Sequence, residues 1–278
     1  MKQGLTSYQI KVIALILMTI DHIAVYLRNV PYIEQAHVIL RIIGRISAPL
    51  FLYLIAVGME HTRSKWKYVL RLYFCAVIMG ITNLLFKIIL HVRISGNIFP
   101  TLFYTALFIF LIQKMIDTVN AKKYTAASFC LLGFLFPYVS SQLYRFMHTG
   151  ISKEFPNLMP RQIFVMQDMA NAFFPNPMTI EYSILFVFIG VLFYFLKHRR
   201  TQCIMFLAMC MMCFAGITWL ESYGNLGDFF MAHQYWMVLA TPFIWLYNGK
   251  KGDGTKEFFY IYYPSHQWIL AFIQKMIG

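Results

Sequence analysis

Long apolar stretches, separated by shorter polar segments, recur along almost the whole chain. Each stretch is about 17–22 residues long, the length that an α-helix needs to cross the hydrocarbon core of a membrane. The predicted fold class is therefore an all-α, polytopic membrane helix bundle of about nine transmembrane helices. We place these helices at about residues 8–28, 38–59, 68–89, 99–116, 124–143, 180–196, 201–220, 229–247 and 257–275.

The composition supports this class. Apolar residues make up 59% of the 278 positions and charged residues only 13%. A soluble domain averages about 45–50% apolar and about 25% charged residues, so an ordinary soluble protein is excluded. We predict a single transmembrane domain over residues 1–278.

The basic residues predict the orientation of the bundle. The formal net charge is +13, and most of the 24 lysines and arginines fall on the side that also carries the N-terminus. Positive charge marks the cytoplasmic side, so we expect the N-terminus inside and the C-terminus outside. The partner that this pattern predicts is a lipid bilayer, and no soluble basic face is left for nucleic acid.

One connection is long, at about residues 144–179, and we expect it to be extracytoplasmic. Within it, the apolar positions of Arg161–Phe174 fit a short helix lying in the membrane interface. This segment is either a surface cap, or a lid or acceptor-recognition element over an outward-facing cavity.

Ionisable residues inside the first predicted helix indicate a functional site. A charged Asp near a bilayer centre costs about 2.5 kcal/mol or more, and Asp21 and His22 lie side by side in this helix. Lys11 is three helical turns before His22, so the two side chains share one helix face about 16 Å apart.

The second predicted helix adds Arg41 and Arg45, which are four positions apart and so share a face. They either form a structural ion pair with Asp21 or line a positively charged cavity around a base. His266 is a second histidine at membrane depth, two residues after Pro264, which breaks the local hydrogen-bond ladder. It is either hydrogen-bonded to a neighbouring helix or part of the chemistry.

Two cytoplasmic loops carry cations that suit a phosphate-bearing ligand. They are either a binding site of this kind or ordinary positive-inside loops. The candidate residues are His61, Arg63, Lys67, Asn248, Lys250 and Lys251. We expect no metal site, because Cys210 and Cys213 have metal-ligand spacing but stand in an apolar stretch without further ligands nearby.

Seven ordered motifs together resemble the TraX family, named for the F-pilin acetylase of conjugative plasmids. The segments that carry the resemblance are 20–23, 41–51, 58–62, 68–72, 97–102, 247–250 and 259–266. The spacing of Lys11 and His22 is also similar to a motif of the wider transmembrane acyltransferase group, which includes acyltransferase family 3. The chain departs from the family at Ser222-Tyr-Gly224, where an Asp-Tyr-Gly is expected.

The resemblance implies an acetyltransferase of the bacterial inner membrane. Acetyl-CoA would bind from the cytosol, and the acetyl group would pass to an amine or hydroxyl acceptor at the membrane or outside. We expect Lys11 and the loop cations to hold the nucleotide end of acetyl-CoA, with its arm running along the Lys11–His22 face.

In this hypothesis His22 is the general base, oriented by Asp21, and Arg41 and Arg45 stabilise the developing negative charge. His266 is either a proton shuttle or the base itself. The alternatives are a proton-coupled transporter, which would predict inverted repeats, and a non-catalytic membrane subunit. The identity of the acceptor and the oligomeric state are open.

Overall fold

A computed structural model describes residues 4–94, 96–155, 159–177, 180–221, 233–254 and 257–277. These residues form helices and contain no β-strand, only one isolated bridge between Leu5 and Tyr247. The prediction of an all-α bundle is confirmed for this part of the chain.

The first five helices cover the region up to residue 120. They are α1 (Ser7–Tyr26), α2 (Pro31–Gly44), α3 (Ser47–His61), α4 (Lys65–Leu85, continued by a π-helical turn, Phe86–Leu90) and α5 (Phe99–Asn120).

The remaining helices follow in the same way. They are α6 (Tyr124–Gly133), α7 (Leu135–Arg145, continued by a π-helical turn, Phe146–Gly150), α8 (Ile151–Glu154), α9 (Pro160–Phe173), α10 (Ser183–Phe195), α11 (Arg199–Glu221), a 3₁₀ helix (His233–Ala240), α12 (Thr241–Trp245) and α13 (Glu257–Ile277).

Five helical segments of the described residues are long and apolar enough to cross a membrane, and the helix Ser183–Phe195 is apolar but shorter. The five segments are Ser7–Tyr26, Pro31–His61, Lys65–Leu90, Phe99–Asn120 and Tyr124–Gly150. The protein is therefore a membrane helix bundle. The number of nine crossings and the cytoplasmic N-terminus stay predictions.

The second predicted span differs from the structure in a way that proline explains. It begins at Pro31 instead of residue 38, and it is interrupted at Arg45 and Ile46 between α2 and α3. Pro49 has no N–H to donate to the carbonyl of Arg45, and a proline ring clashes with the carbonyl four residues before it. The interruption therefore falls one turn before this proline.

The described contacts divide the chain into two compact units. The first comprises residues 1–57 and 192–278, and the second comprises residues 58–191. In the first unit α1 packs against α2 and α13, and α11 packs against the 3₁₀ helix and α12. In the second unit α4 packs against α5 and α9, and α5 packs against α6.

The expected short helix in the long connection is present as α9, within one residue of the predicted bounds. It packs closely on α4, since a Cβ atom at Gly80 would come within 2.8 Å of the Cβ atom of Ala172. This contact shows that α9 is an integral wall of the second unit. Its position in a membrane interface stays a prediction.

Candidate active site

Two buried histidines from opposite ends of the sequence meet in the first unit. His22 of α1 is 5% exposed and His266 of α13 is 7% exposed. The Nδ1 atom of His22 lies 2.7 Å from the Nε2 atom of His266, and the two ring planes are inclined by 24°. The two histidines, which the sequence analysis identified as separate candidates, are therefore in direct contact.

The hydrogen bonds assign the tautomers of this pair. The Nδ1 atom of His266 lies 2.9 Å from the carbonyl oxygen of Tyr262, and because a carbonyl only accepts, this Nδ1 atom carries a proton. In neutral His266 the Nε2 atom is then an acceptor, so the Nδ1–H group of His22 donates to it. In neutral His22 this leaves a lone pair on Nε2, the form in which an imidazole acts as a base.

Polar and aromatic groups of α13 surround this pair. The Nε2 atom of Gln267, a residue that is 0% exposed, lies 3.4 Å from the Nε2 atom of His22 and donates to the Tyr263 hydroxyl at 3.1 Å. The Tyr262 ring lies nearly parallel to the His266 ring, with 5.3 Å between the centroids. These contacts hold both imidazoles in fixed orientations. Gln267 and the two tyrosines were missed at the sequence level, although a glutamine next to a histidine in an apolar helix is a usable signal.

The expected effect of Pro264 is limited. Pro264 has no N–H for the carbonyl of Tyr260, yet α13 is continuous from Glu257 to Ile277. Pro264 therefore removes one hydrogen bond from the ladder, as the sequence predicted, within a helix that continues on both sides.

Asp21 pairs with Arg41, which is one of the two alternatives that the sequence left open. Its Oδ2 atom accepts a hydrogen bond from Nη1 of Arg41 at 2.8 Å, whereas both ring nitrogens of His22 face α13. Successive residues of a helix point about 100° apart, so Asp21 faces α2 when His22 faces α13. The described contacts of His22 are therefore to His266 and Gln267, whereas Asp21 bonds to Arg41.

Close packing of α1 on α2 fixes the Asp21 side chain. A Cβ atom at Gly44 would lie 2.3 Å from both the Cβ and the Oδ1 atoms of Asp21, so only glycine fits there. The Oδ1 atom of Asp21 and the Nε atom of Arg45 are buried and have no hydrogen-bond partner among the described residues. Buried polar atoms without hydrogen-bond partners destabilise the fold, and these two atoms could each form a hydrogen bond to a ligand.

The Lys11–His22 face of α1 is not an open groove. It packs against α13: the Lys11 ammonium lies 5.3 Å from the centre of the Phe259 ring, and Thr19 Oγ1 lies 2.9 Å from the Tyr262 hydroxyl. Contacts at Lys11, Thr19 and His22 follow the order of their partners along α13, so the two helices run in the same direction. Side chains of α13 occupy the face along which we expected the acyl-CoA arm to run.

Asn248 belongs to a clasp rather than to a free binding loop. Its amide donates to the carbonyl of Gly4 at 2.9 Å and accepts from the backbone N–H of Lys250 at 2.9 Å. The carbonyls of Lys250 and Lys251 accept the N–H groups of Ser7 and Tyr8 at the start of α1. The first amides of α1 are thus already bonded, while the Lys250 and Lys251 side chains are exposed.

The remaining candidate cations lie in the second unit. His61 ends α3, Arg63 stands in the following turn, and Lys67 lies in the first turn of α4, where Ser64 caps the helix by accepting from the Lys67 N–H. All three candidate side chains are exposed. They remain accessible to an anionic ligand. The described residues contain no group of three or more His, Cys, Asp or Glu side chains placed to hold a metal ion.

The departure at Ser222–Gly224 lies outside the described residues. Comparison with known proteins gives one family match, to a model described as TraX protein, over residues 6–151 and 160–274. No curated protein matches the chain, and no solved structure does.

Proposed function

This chain belongs to the TraX family, and we propose that it is a membrane-embedded acyltransferase that moves an acetyl group from acetyl-CoA to an amine or hydroxyl acceptor. The family is associated with acetylation of F-pilin. The observation that carries the proposal is the His22–His266 pair, which presents an unprotonated Nε2 atom of His22 in a buried site.

The described residues supply a base for this reaction. Acetyl-CoA brings a thioester whose carbonyl carbon accepts the nucleophile. The Nε2 atom of His22 takes the proton from the acceptor N–H or O–H group as the new bond to this carbon forms. His22 then returns the proton to the departing sulfur, so that the carbon–sulfur bond is exchanged for a carbon–nitrogen or carbon–oxygen bond. A base of this kind contributes about 10²–10⁴-fold to the rate.

His266 supports the base by a hydrogen-bonded relay. When His22 gains a proton on Nε2, its Nδ1–H group still donates to His266, whose own Nδ1–H group is held by the Tyr262 carbonyl. This arrangement fixes the His22 tautomer and spreads the positive charge. We therefore assign the base to His22 and the orienting role to His266.

Buried polar atoms without partners among the described residues could bind a substrate. The Oε1 atom of Gln267 is buried without a hydrogen-bond partner among the described residues, and the Nε2 atom of the same amide faces the base. Oε1 would accept an N–H or O–H group of the acceptor. Arg45 is the better candidate of the two arginines for stabilising negative charge, because its Nε atom has no hydrogen-bond partner among the described residues and Arg41 is engaged by Asp21.

The exposed cations are the candidate contacts for the phosphates of acetyl-CoA. In the first unit they are Lys250 and Lys251, and the half-buried Lys11 lies closer to the base along α1. The second unit carries its own exposed candidates, Arg63, Lys67 and His61. We place the donor on the cytosolic side of a bacterial inner membrane, from the distribution of basic residues in the sequence. Asn248 is assigned to the structural clasp.

Release of CoA from acetyl-CoA by the detergent-purified protein tests the proposal. We expect turnover with amine or hydroxyl acceptors in the wild type, CoA binding without turnover in His22→Ala, and weakened binding in Lys11→Ala. His91→Gln is the matched control, because His91 is exposed and lies in the second unit. It should keep wild-type activity.

A second candidate function uses the same pair. Two buried imidazoles joined by a 2.7 Å hydrogen bond also form a proton relay, which a proton-coupled transporter requires. If no form of the protein binds CoA at millimolar concentration, the acyltransferase proposal fails. The transporter then becomes the leading candidate.

A further inference from the structure

The second unit contains a polar cavity that has no part in the chemistry proposed above. Its volume is about 470 Å³, within the range of small-molecule sites. One face of α4 with its π-helical turn and one face of α9 form two of its walls. Most of the remaining lining residues come from the connections that follow these helices, and they include Arg93, Gly96, Asn97, Pro175, Asn176 and Glu181.

The cavity lies at the ends of candidate membrane spans. The span Lys65–Leu90 finishes beside it and the span Phe99–Asn120 begins beside it. On α4, the neighbouring residues Leu85 and Ile89 are 45% and 66% exposed, as expected for side chains that face lipid. We therefore expect the cavity at the level where lipid headgroups and water meet.

The helical walls already hold one ion pair. The Lys87 ammonium lies 3.0 Å from Oδ2 of Asp168 and 3.3 Å from the centre of the Phe164 ring, so its charge is largely satisfied. The connecting segments add Arg93 and Glu181 to the lining. The four formal charges cancel, which disfavours a ligand of strong net charge of either sign.

The other two charged residues of the lining, Arg93 and Glu181, come from separate segments of the chain. Arg93 is exposed, and no described residue gives it a hydrogen bond, ion pair or ring contact. The Glu181 carboxylate lies against the backbone of Gly96, where a Cβ atom would come within 2.6 Å of Oε1. A cation and an anion therefore line one cavity from two separate segments of the chain.

A buried hydrogen-bond acceptor in the cavity wall requires a donor from the ligand. The Oδ1 atom of Asn83, on the α4 wall, is buried and has no hydrogen-bond partner in the part of the chain that the structure describes. Such an atom is costly unless a donor reaches it. A ligand that brings an N–H donor together with an anionic group would satisfy both Asn83 and Arg93.

We infer that this cavity binds a small zwitterion that carries an ammonium group and an anionic oxygen group. The anionic group bonds to Arg93, and the ammonium group bonds to Asn83 Oδ1. The source is either a soluble zwitterion or the headgroup of a lipid such as phosphatidylethanolamine. The inference is independent of the acyltransferase proposal, because it requires no turnover.

Binding of two probes tests the inference and distinguishes the sources. In the first experiment, phosphoethanolamine is titrated by calorimetry into the protein in nanodiscs of phosphatidylglycerol. In the second, the protein is released from mixed-lipid nanodiscs, and native mass spectrometry measures how much phosphatidylethanolamine stays bound to it. We expect saturable binding of at least one probe. Inorganic phosphate and glucose should not compete, since phosphate lacks the ammonium group and glucose lacks both charged groups.

Two variants and one control locate the site. Arg93→Gln and Asn83→Leu should each weaken binding by about 10–100-fold, the effect of losing a hydrogen bond to a charged group. Arg161→Gln is the control, because Arg161 is an exposed arginine of α9 outside the cavity lining, and it should bind as the wild type does. Arg93 is exposed, so its replacement leaves folding intact.

Three outcomes would overturn the inference. They are no saturable binding of either probe at millimolar concentration, equal loss in Arg161→Gln and Arg93→Gln, and full displacement by inorganic phosphate alone. Binding of the lipid without phosphoethanolamine assigns the site to a headgroup, and binding of both assigns it to the shared zwitterion.

Discussion

Replacement of Gly44 by alanine should separate α1 from α2. The new Cβ atom would lie 2.3 Å from both Cβ and Oδ1 of Asp21, far inside van der Waals contact. Turning the Asp21 side chain moves Oδ1 but leaves its Cβ atom in place. The clash is therefore relieved only if the two helices move apart, and that movement lengthens the 2.8 Å bond from Arg41.

The magnitude follows from two opposed effects. Overpacking of a tight contact costs about 1–3 kcal/mol. Alanine is the better helix former by about 1 kcal/mol, which offsets part of this cost. Weakening of the Asp21–Arg41 pair adds to the destabilisation, and we expect a net loss of about 1–3 kcal/mol in the free energy of unfolding.

Equilibrium unfolding in mixed micelles, followed by circular dichroism, measures this loss. Gly133→Ala is the matched control, because Gly133 is also helical and the new Cβ atom would meet only the Leu111 side chain, with its methyl carbons at 2.6 and 2.9 Å and its Cγ atom at 3.3 Å. Those methyl groups can rotate away, so the control should change by less than about 1 kcal/mol. Equal stability of Gly44→Ala and the wild type would refute the close approach of α1 to α2.

The remaining predictions concern the polar contacts of the first unit. Arg41→Ala should destabilise the fold by removing the ion-pair partner of Asp21, and the double variant with Asp21→Asn should recover most of that loss, because a neutral amide needs no counter-charge. Thermal unfolding of the single and double variants checks this, and a double variant no more stable than Arg41→Ala would contradict it. Asn248→Ala should lower the free energy of unfolding by about 1–3 kcal/mol, because two hydrogen bonds are lost, and should leave the affinity for CoA unchanged. Equilibrium unfolding measures the stability and calorimetry measures the CoA affinity of the same preparation. A loss of affinity without a loss of stability would show that Asn248 belongs to the binding site. Tyr262→Phe removes the bond to Thr19 but keeps the ring beside the histidine pair, so turnover should stay within about threefold of wild type, with a larger loss of kcat refuting a packing role.

Much of the fold was predictable because it rests on local patterns. Apolar length predicted the helices, Thr6 and Gln9 form a capping box at the start of α1, and the periodicity within the long connection predicted α9. The interruption at Arg45 and Ile46 was missed, although the proline that explains it lies close by in the sequence.

The sequence predicted which residues belong to the candidate site, but it did not predict which of them contact each other. His22 and His266 stand out as ionisable residues in apolar helices, but their contact spans 244 positions and depends on the packing of α1 against α13. The expected role of Asp21 relied on adjacency in sequence, whereas adjacent helical residues point in different directions. The Asn248 clasp was also hidden, because backbone carbonyls that accept the first amides of α1 leave no mark in the sequence.

The most direct test of the central claim is a double-mutant cycle on acetyl transfer with His22→Gln, His266→Gln and the double variant. If His266 acts through His22, either single change should lower kcat by about 10²–10⁴-fold, and the double variant should be no slower than His22→Gln alone. Independent, multiplying losses would contradict the relay, and a His22→Gln variant that keeps wild-type kcat would contradict the assignment of His22 as the base.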